Sequence, residues 1–161
     1  MSPELDPARL GDHLDRLFRA AWALAGNRED AEDLVQETYV RVLARPRLLR
    51  NDDDLGYLLR VLRNTFLTHL RDRSRRIDPV PMPEDPVVED LTSPSPEAAF
   101  EVREVYAAVA GLPDEYRDAV VAVDIVGLSY KEAAKTLGTK EGTIMSRLYR
   151  GRNRVAQVIG D

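Results

Sequence analysis

Between residues 139 and 154, Lys140, Arg147, Arg150, Arg152 and Arg154 stand against a single acid, Glu141. Guanidinium forks bind phosphate oxygens in pairs, so this density of cations suits a polyanion. Thr143, Arg147, Arg150 and Arg154 recur at i, i+4, i+7 and i+11, which predicts one exposed stripe on a helix, with Lys140 and Ser146 beside it. A second basic block, residues 41–76, holds ten arginines and four acids. There Arg60, Asn64, Thr68 and Arg71 share a helical side, with Arg63 on its edge. Arginine again suits phosphate, and asparagine can pair with a base edge. Tyr57, just upstream, reads equally as a platform for an unpaired base or as a core aromatic. A third pattern is acidic. Asp33, Gln36, Glu37 and Val40 follow i, i+3, i+4, i+7, either a solvated face or a docking stripe for a basic partner.

Other chemistries find no residues. Cysteine is absent, which excludes disulfides, thiolate zinc sites and cysteine nucleophiles. The only histidines are His13 and His69, too few for a histidine-rich metal site, and His69 falls toward an apolar side. Asp52-Asp53-Asp54 lacks EF-hand spacing and reads as a loop feeding a helix N-terminus. No nucleophile–base pair or phosphate-cradling glycine loop is visible, so the expectation is a binding protein with no cofactor and no metal, not an enzyme. No apolar run approaches the ~18–20 residues of a membrane span, and no secretory leader is read. The predicted location is the cytoplasm. The formal net charge of −5 hides a segregation: residues 1–40 carry nine acids and four arginines, and residues 79–98 carry five acids and no base. Fields act over roughly 8–10 Å in physiological salt, so local patches decide polyanion binding.

The elements needed to position these groups are all helical. Six of the ten prolines lie in 79–96, which predicts a flexible acidic linker over 79–98 between two small domains, 1–78 and 99–161. Each half is small for an independent core, so dependence on a partner is expected. Periodicity predicts helices over 6–25, 28–45, 55–75, 96–110, 113–126, 130–137 and 140–158, with a short turn at 47–51. Asn27 caps the second helix and Pro113 opens the fifth. Leu58, Leu59, Leu62, Phe66 and Leu70 form a core stripe of the third. Ser129 and Glu132 have capping-box spacing, Ala133 and Ala134 admit a close neighbour, and Gly138 makes a turn. Ile144, Leu148, Val155 and Ile159 then give the buried side of the last helix. This is a helix-turn-helix, and the basic stripe on its second helix argues against a generic helical hairpin.

DAEDLVQETYVRVL (30–43), GYLLRVLRNTFLTHLRDRSRR (56–76), LPDEYRDAVVAVDIVGLSYKEAAKTLG (112–138) and GTIMSRLYRGRNRV (142–155) together resemble the extracytoplasmic-function (ECF) family of bacterial RNA polymerase sigma factors. The resemblance implies an all-α fold, with region 2 over 1–78 and region 4 over 99–161. It implies that Asp33, Gln36, Glu37 and Val40 dock on the clamp helices of the polymerase beta-prime subunit, and that region 4 meets the beta flap. It further implies −10 reading and melting by Tyr57, Arg60, Arg63, Asn64, Thr68 and Arg71. Reading of −35 falls to Lys140, Thr143, Ser146, Arg147, Arg150 and Arg154. An anti-sigma factor is an implied further partner, and no membrane insertion is implied. Two residues depart from the common pattern: Tyr57 stands where many members have tryptophan, and Met145 where many have lysine. The competing reading is a stand-alone helix-turn-helix regulator, for which no dimerisation helix is evident.

Overall fold

The computed structural model describes residues 13–44, 54–75 and 96–160. Seven α-helices and one π turn fill them: α1 Leu14–Ala25, α2 Arg28–Ala44, α3 Asp54–Arg75, α4 Pro96–Ala110, α5 Asp114–Val120, the π turn Val121–Ile125, α6 Tyr130–Leu137 and α7 Glu141–Gly160. The all-α expectation holds, and boundaries agree to within a few residues. The predicted turn at 47–51, the start of the 6–25 helix and the 79–95 part of the linker lie outside the described residues.

Local chemistry accounts for the helix ends. Gly26 closes α1 with φ +86°, a left-handed conformation that favours glycine, and its amide donates to the Trp22 carbonyl at 2.7 Å. Asn27 Oδ1 accepts the Asp30 amide at 2.8 Å and caps α2. The Ser129 hydroxyl and the Glu132 carboxylate accept each other's backbone amides at 3.0 Å, completing the capping box of α6. The β-branched run 119–126 stays helical but widens at its end, where the Val126 amide donates to the Val121 carbonyl at 2.9 Å.

Leu17, Leu34, Leu58 and Leu62 from the first half and Val109, Val121, Ile144 and Leu148 from the second belong to one continuous core. The halves meet along a seam. Helix α1 lies against α4, where the Trp22 and Tyr106 rings are 5.4 Å apart. Helix α3 lies against α6, and Phe66 sits under the Arg117 guanidinium at 5.0 Å. Each half thus supplies apolar surface that the other lacks, which answers the size argument from within the chain. Two predicted core positions differ. Leu70 and Ile159 are exposed, and Leu70 borders an open hollow that it shares with Leu24, Ala25 and Asp30. Conversely, the charged Arg117 and Asp118 are buried.

Helix α7 packs closely on α5 at Gly151. A Cβ there would stand 2.8 Å from Val120 Cγ2 and 3.3 Å from the Tyr116 carbonyl oxygen. Val120 is itself buried and β-branched, so it cannot swing aside. Gly151→Ala gains about 1 kcal/mol of helix propensity but incurs overpacking of about 1–3 kcal/mol. A net loss near 1 kcal/mol is expected, read as a lower urea midpoint by circular dichroism.

Candidate nucleic-acid and partner interface

Helix α2 carries the acidic stripe. Asp33 and Gln36 are exposed and Val40 is 66% exposed, so the outer face is open. Glu37 is engaged on both sides: Arg41 donates to it at 3.0 Å, and its other oxygen pairs with His69 Nε2. His69 therefore lies at the boundary between α2 and α3, tied to a carboxylate. Two turns earlier on α2, Asp30 receives Arg73 of α3 at 2.9 Å. Burial raises the Asp30 pKa, but the Asn27 and Arg73 hydrogen bonds outweigh it and hold the carboxyl below its ordinary value. These two ties fix the register of α2 on α3, and with it the direction in which the stripe faces.

On α3 the predicted basic set divides. Asn64 and Arg71 are exposed. The Thr68 hydroxyl donates to the Asn64 carbonyl at 3.0 Å within the helix. Tyr57 packs partly buried against the core. Arg60 and Arg63 turn instead to the second half. Arg60 Nε and Nη2 donate to the Thr136 and Lys135 carbonyls at 3.4 and 3.2 Å. Those carbonyls end α6, where the helix dipole is negative and a cation is favoured. Arg63 Nε donates to Asp118 Oδ2 at 2.7 Å, while the other Asp118 oxygen receives Arg117 Nε and Nη2 at 3.3 and 3.2 Å. Arg117 reaches Asp114 at 3.0 Å as well. An alternating chain Arg63–Asp118–Arg117–Asp114 therefore crosses the seam.

The helix-turn-helix is α6, the Gly138 turn at φ +67°, and α7. Ile144, Leu148 and Gly151 are the buried residues of α7. At 100° per residue that places Thr143, Arg147, Arg150 and Arg154 a quarter turn from the buried side, on a flank rather than opposite it. Helix α5 faces this flank. Arg150 Nη1 donates to the Tyr116 hydroxyl at 3.3 Å, the Arg154 guanidinium lies 5.2 Å from the Tyr116 ring, and Arg147 is 3.8 Å from Glu115. The hydroxyl of Tyr116 raises the Arg150 pKa. Ser146 and Lys140 are exposed, and the Ser146 hydroxyl donates to the Thr143 carbonyl at 3.1 Å.

Tyr149, which the sequence reading passed over, is 70% exposed, and Met145, noted there only as a departure from the family pattern, is exposed on the flank opposite the arginines. Arg152, read with the basic patch, is held by Asp124 through two hydrogen bonds at 2.8 and 2.6 Å, which raises its pKa. It braces α7 against the π turn. Among the described residues no group of three or more histidines and carboxylates could hold a metal ion, and no helix is long and apolar enough to cross a membrane.

This arrangement offers two basic surfaces and one acidic stripe, in a defined order along the chain. Residues 10–76 match the family model of Sigma-70 region 2, and residues 102–155 match that of Sigma-70, region 4. The chain is 41% identical over 148 residues to the ECF RNA polymerase sigma factor SigE of Mycolicibacterium smegmatis, covering 89% of this chain and 57% of that protein. It is 35% identical over 141 residues to the ECF RNA polymerase sigma factor EcfG of Rhodopseudomonas palustris, covering 86% of this chain and 76% of the relative. Its fold is similar to that of the sigma factor RpoE of Bartonella quintana, solved in complex with the anti-sigma factor NepR, with a TM-score of 0.71, 27% identity and 95% of both chains covered.

Proposed function

The chain belongs to the ECF group of RNA polymerase sigma factors, and on that premise we propose that it binds core RNA polymerase and directs initiation at promoters of its own sequence. The observation that carries this reading is the pairing of a region 2 match and a region 4 match in that order. A stand-alone helix-turn-helix regulator would leave the first half without a task.

In the proposed division of work, Asp33, Gln36, Glu37 and Val40 meet the clamp helices of beta-prime, and region 4 meets the beta flap. Tyr57, Arg60, Arg63, Asn64, Thr68 and Arg71 take the −10 element. Lys140, Thr143, Ser146, Arg147, Arg150 and Arg154 take −35, with Tyr149 and Met145 added by their exposure on the same helix. Domain limits of 1–78 and 99–161 follow the same reading. The chain works as a binding subunit and performs no catalysis of its own. It acts in the cytoplasm, where the polymerase is, and an anti-sigma factor restrains it, as the NepR complex of the similar RpoE suggests.

The test is gel filtration of the chain with core polymerase, followed by start-site mapping with the reconstituted enzyme. Co-elution and a new set of start sites are expected. Asp33→Arg reverses charge at an exposed point of the stripe and lowers the co-eluting fraction. A chain that elutes apart from the polymerase and leaves its start sites unchanged overturns the reading.

A further inference from the structure

The stripe of Arg147, Arg150 and Arg154 occupies only one side of α7. To the other side of the buried line lie Glu141, Met145, Tyr149 and Arg152, spaced i, i+4, i+8 and i+11. All four are exposed, Met145 by 55%, so α7 does not need that side chain for its packing. This side suits phosphate poorly. Glu141 presents a carboxylate, which repels it. Arg152, the cation here, is already held by both oxygens of Asp124 at 2.8 and 2.6 Å. Met145 is apolar and has no hydrogen to donate.

Directly outward, between the two sides, stand Gly142, Ser146 and Asn153, all exposed. Gly142 and Ser146 are small, and a Cβ on Gly142 would meet nothing within 4 Å. The first two turns of α7 can therefore approach the floor of a groove closely. A helix with its side chains is about 10–12 Å across, and the major groove is about 12 Å wide. A helix that sinks far enough for Arg147 and Arg150 to reach DNA on one side brings Met145 and Tyr149 against it on the other. Base-pair edges in that groove offer hydrogen-bonding groups, and their one apolar group is the C5 methyl of thymine.

We infer that Met145 reads the C5 methyl of a thymine in the −35 element, with the Tyr149 ring walling the same apolar patch. This rests on the promoter-reading function proposed above and names the base chemistry that one side of α7 recognises. Contact removes the methyl and the thioether chain from water together. The flexible, polarisable methionine adapts to where the methyl stands. Cytosine, the other pyrimidine, lacks the methyl and offers the patch an amino donor that it cannot accept. Met145 is thus a specificity residue, set beside arginines that supply charge.

Deoxyuridine in place of thymidine removes that methyl and nothing else. The test is competition binding by holoenzyme reconstituted with the full chain, on a promoter found by start-site mapping. Each thymine of the −35 element, on either strand, is replaced in turn. At one position the replacement is expected to lower affinity about fourfold, the contribution of one buried methyl group. In Met145→Ala, thymine and uracil at that position should bind alike, and Met145→Leu should restore the preference. Because no phosphate is gripped, the salt slope should be the same for all three chains. Met145 is exposed, so circular dichroism of the variants should match that of the unmodified chain. Tolerance of uracil at every position overturns the inference, as does a preference that survives Met145→Ala; reading by the arginines then stands without it. A loss in Met145→Ala that is equal on thymine and uracil moves the contact to the DNA backbone or the polymerase and overturns it too. A holoenzyme that binds no promoter removes the functional reading, and this inference with it.

Discussion

Asp118→Ala lowers stability by about 3–5 kcal/mol, the cost of leaving a buried charge without its partner. Asp118 and Arg117 are 7% and 4% exposed. Arg117 keeps Asp114, but that carboxylate is largely in solvent and holds only one guanidinium nitrogen. The remaining face of Arg117 sits over Phe66, which attracts the cation but cannot accept its in-plane hydrogens. The variant thus strands donors in a site too closed for water to replace the carboxylate fully. Arg63→Ala removes the other partner of Asp118 at much lower cost. Arg63 is about a third exposed, and Arg117 still satisfies the carboxylate. Urea unfolding of both variants checks the asymmetry. A chain of this size should lose roughly 6–20 °C in Tm for Asp118→Ala. Equal losses from the two substitutions would mean that the bridge across the seam, not the pair within the second half, carries the energy.

This network also marks where sequence reading stops. Each helix was legible because its apolar positions recur at 3.6 residues and its ends carry Asn27, Ser129, Gly138 or Pro113. The acidic stripe and the helix-turn-helix followed from the same periodicity. The seam did not. Arg60 and Arg63 lie on the polar side of α3, and a polar side reads as solvated whether it meets water or the carbonyl end of another helix. Arg117 and Asp118 are adjacent in the chain, and nothing local says that a charged dipeptide is buried. Their partner, Arg63, is 55 residues away. Burial through guanidinium contacts leaves no hydrophobic signature, so contacts between the halves were the part that composition could not disclose. Leu70 and Ile159 fail in the opposite sense. An apolar stripe predicts burial only where a neighbour packs closely against it, and Leu70 borders an open hollow instead.

On the proposed −35 reading, Arg150→Ala should weaken holoenzyme binding to the cognate −35 element by about ten- to a hundredfold, and Arg147→Ala by less. Both lie on the α7 flank that faces α5, but their neighbours differ. Arg150 is exposed and is steadied by a neutral donor–acceptor, the Tyr116 hydroxyl. The hydroxyl orients the guanidinium without neutralising it. Arg147 is more covered and lies 3.8 Å from Glu115, a carboxylate that competes with phosphate for the same cation. Removing Arg147 therefore removes a charge already partly compensated. Glu115→Gln should tighten DNA binding for the same reason. Each phosphate contact contributes about 0.9 to the slope of log affinity against log salt, so titrations at several salt concentrations separate the roles. If Arg150 reads a base edge, its loss relaxes preference at one position and leaves the salt slope almost unchanged. If it grips phosphate, affinity falls alike for all sequences and the slope drops by about one. Tyr116→Phe distinguishes orientation from contact. It deletes only the oxygen that steadies Arg150, so a base-reading Arg150 loses part of its discrimination, whereas a phosphate grip, which tolerates many geometries, keeps its affinity.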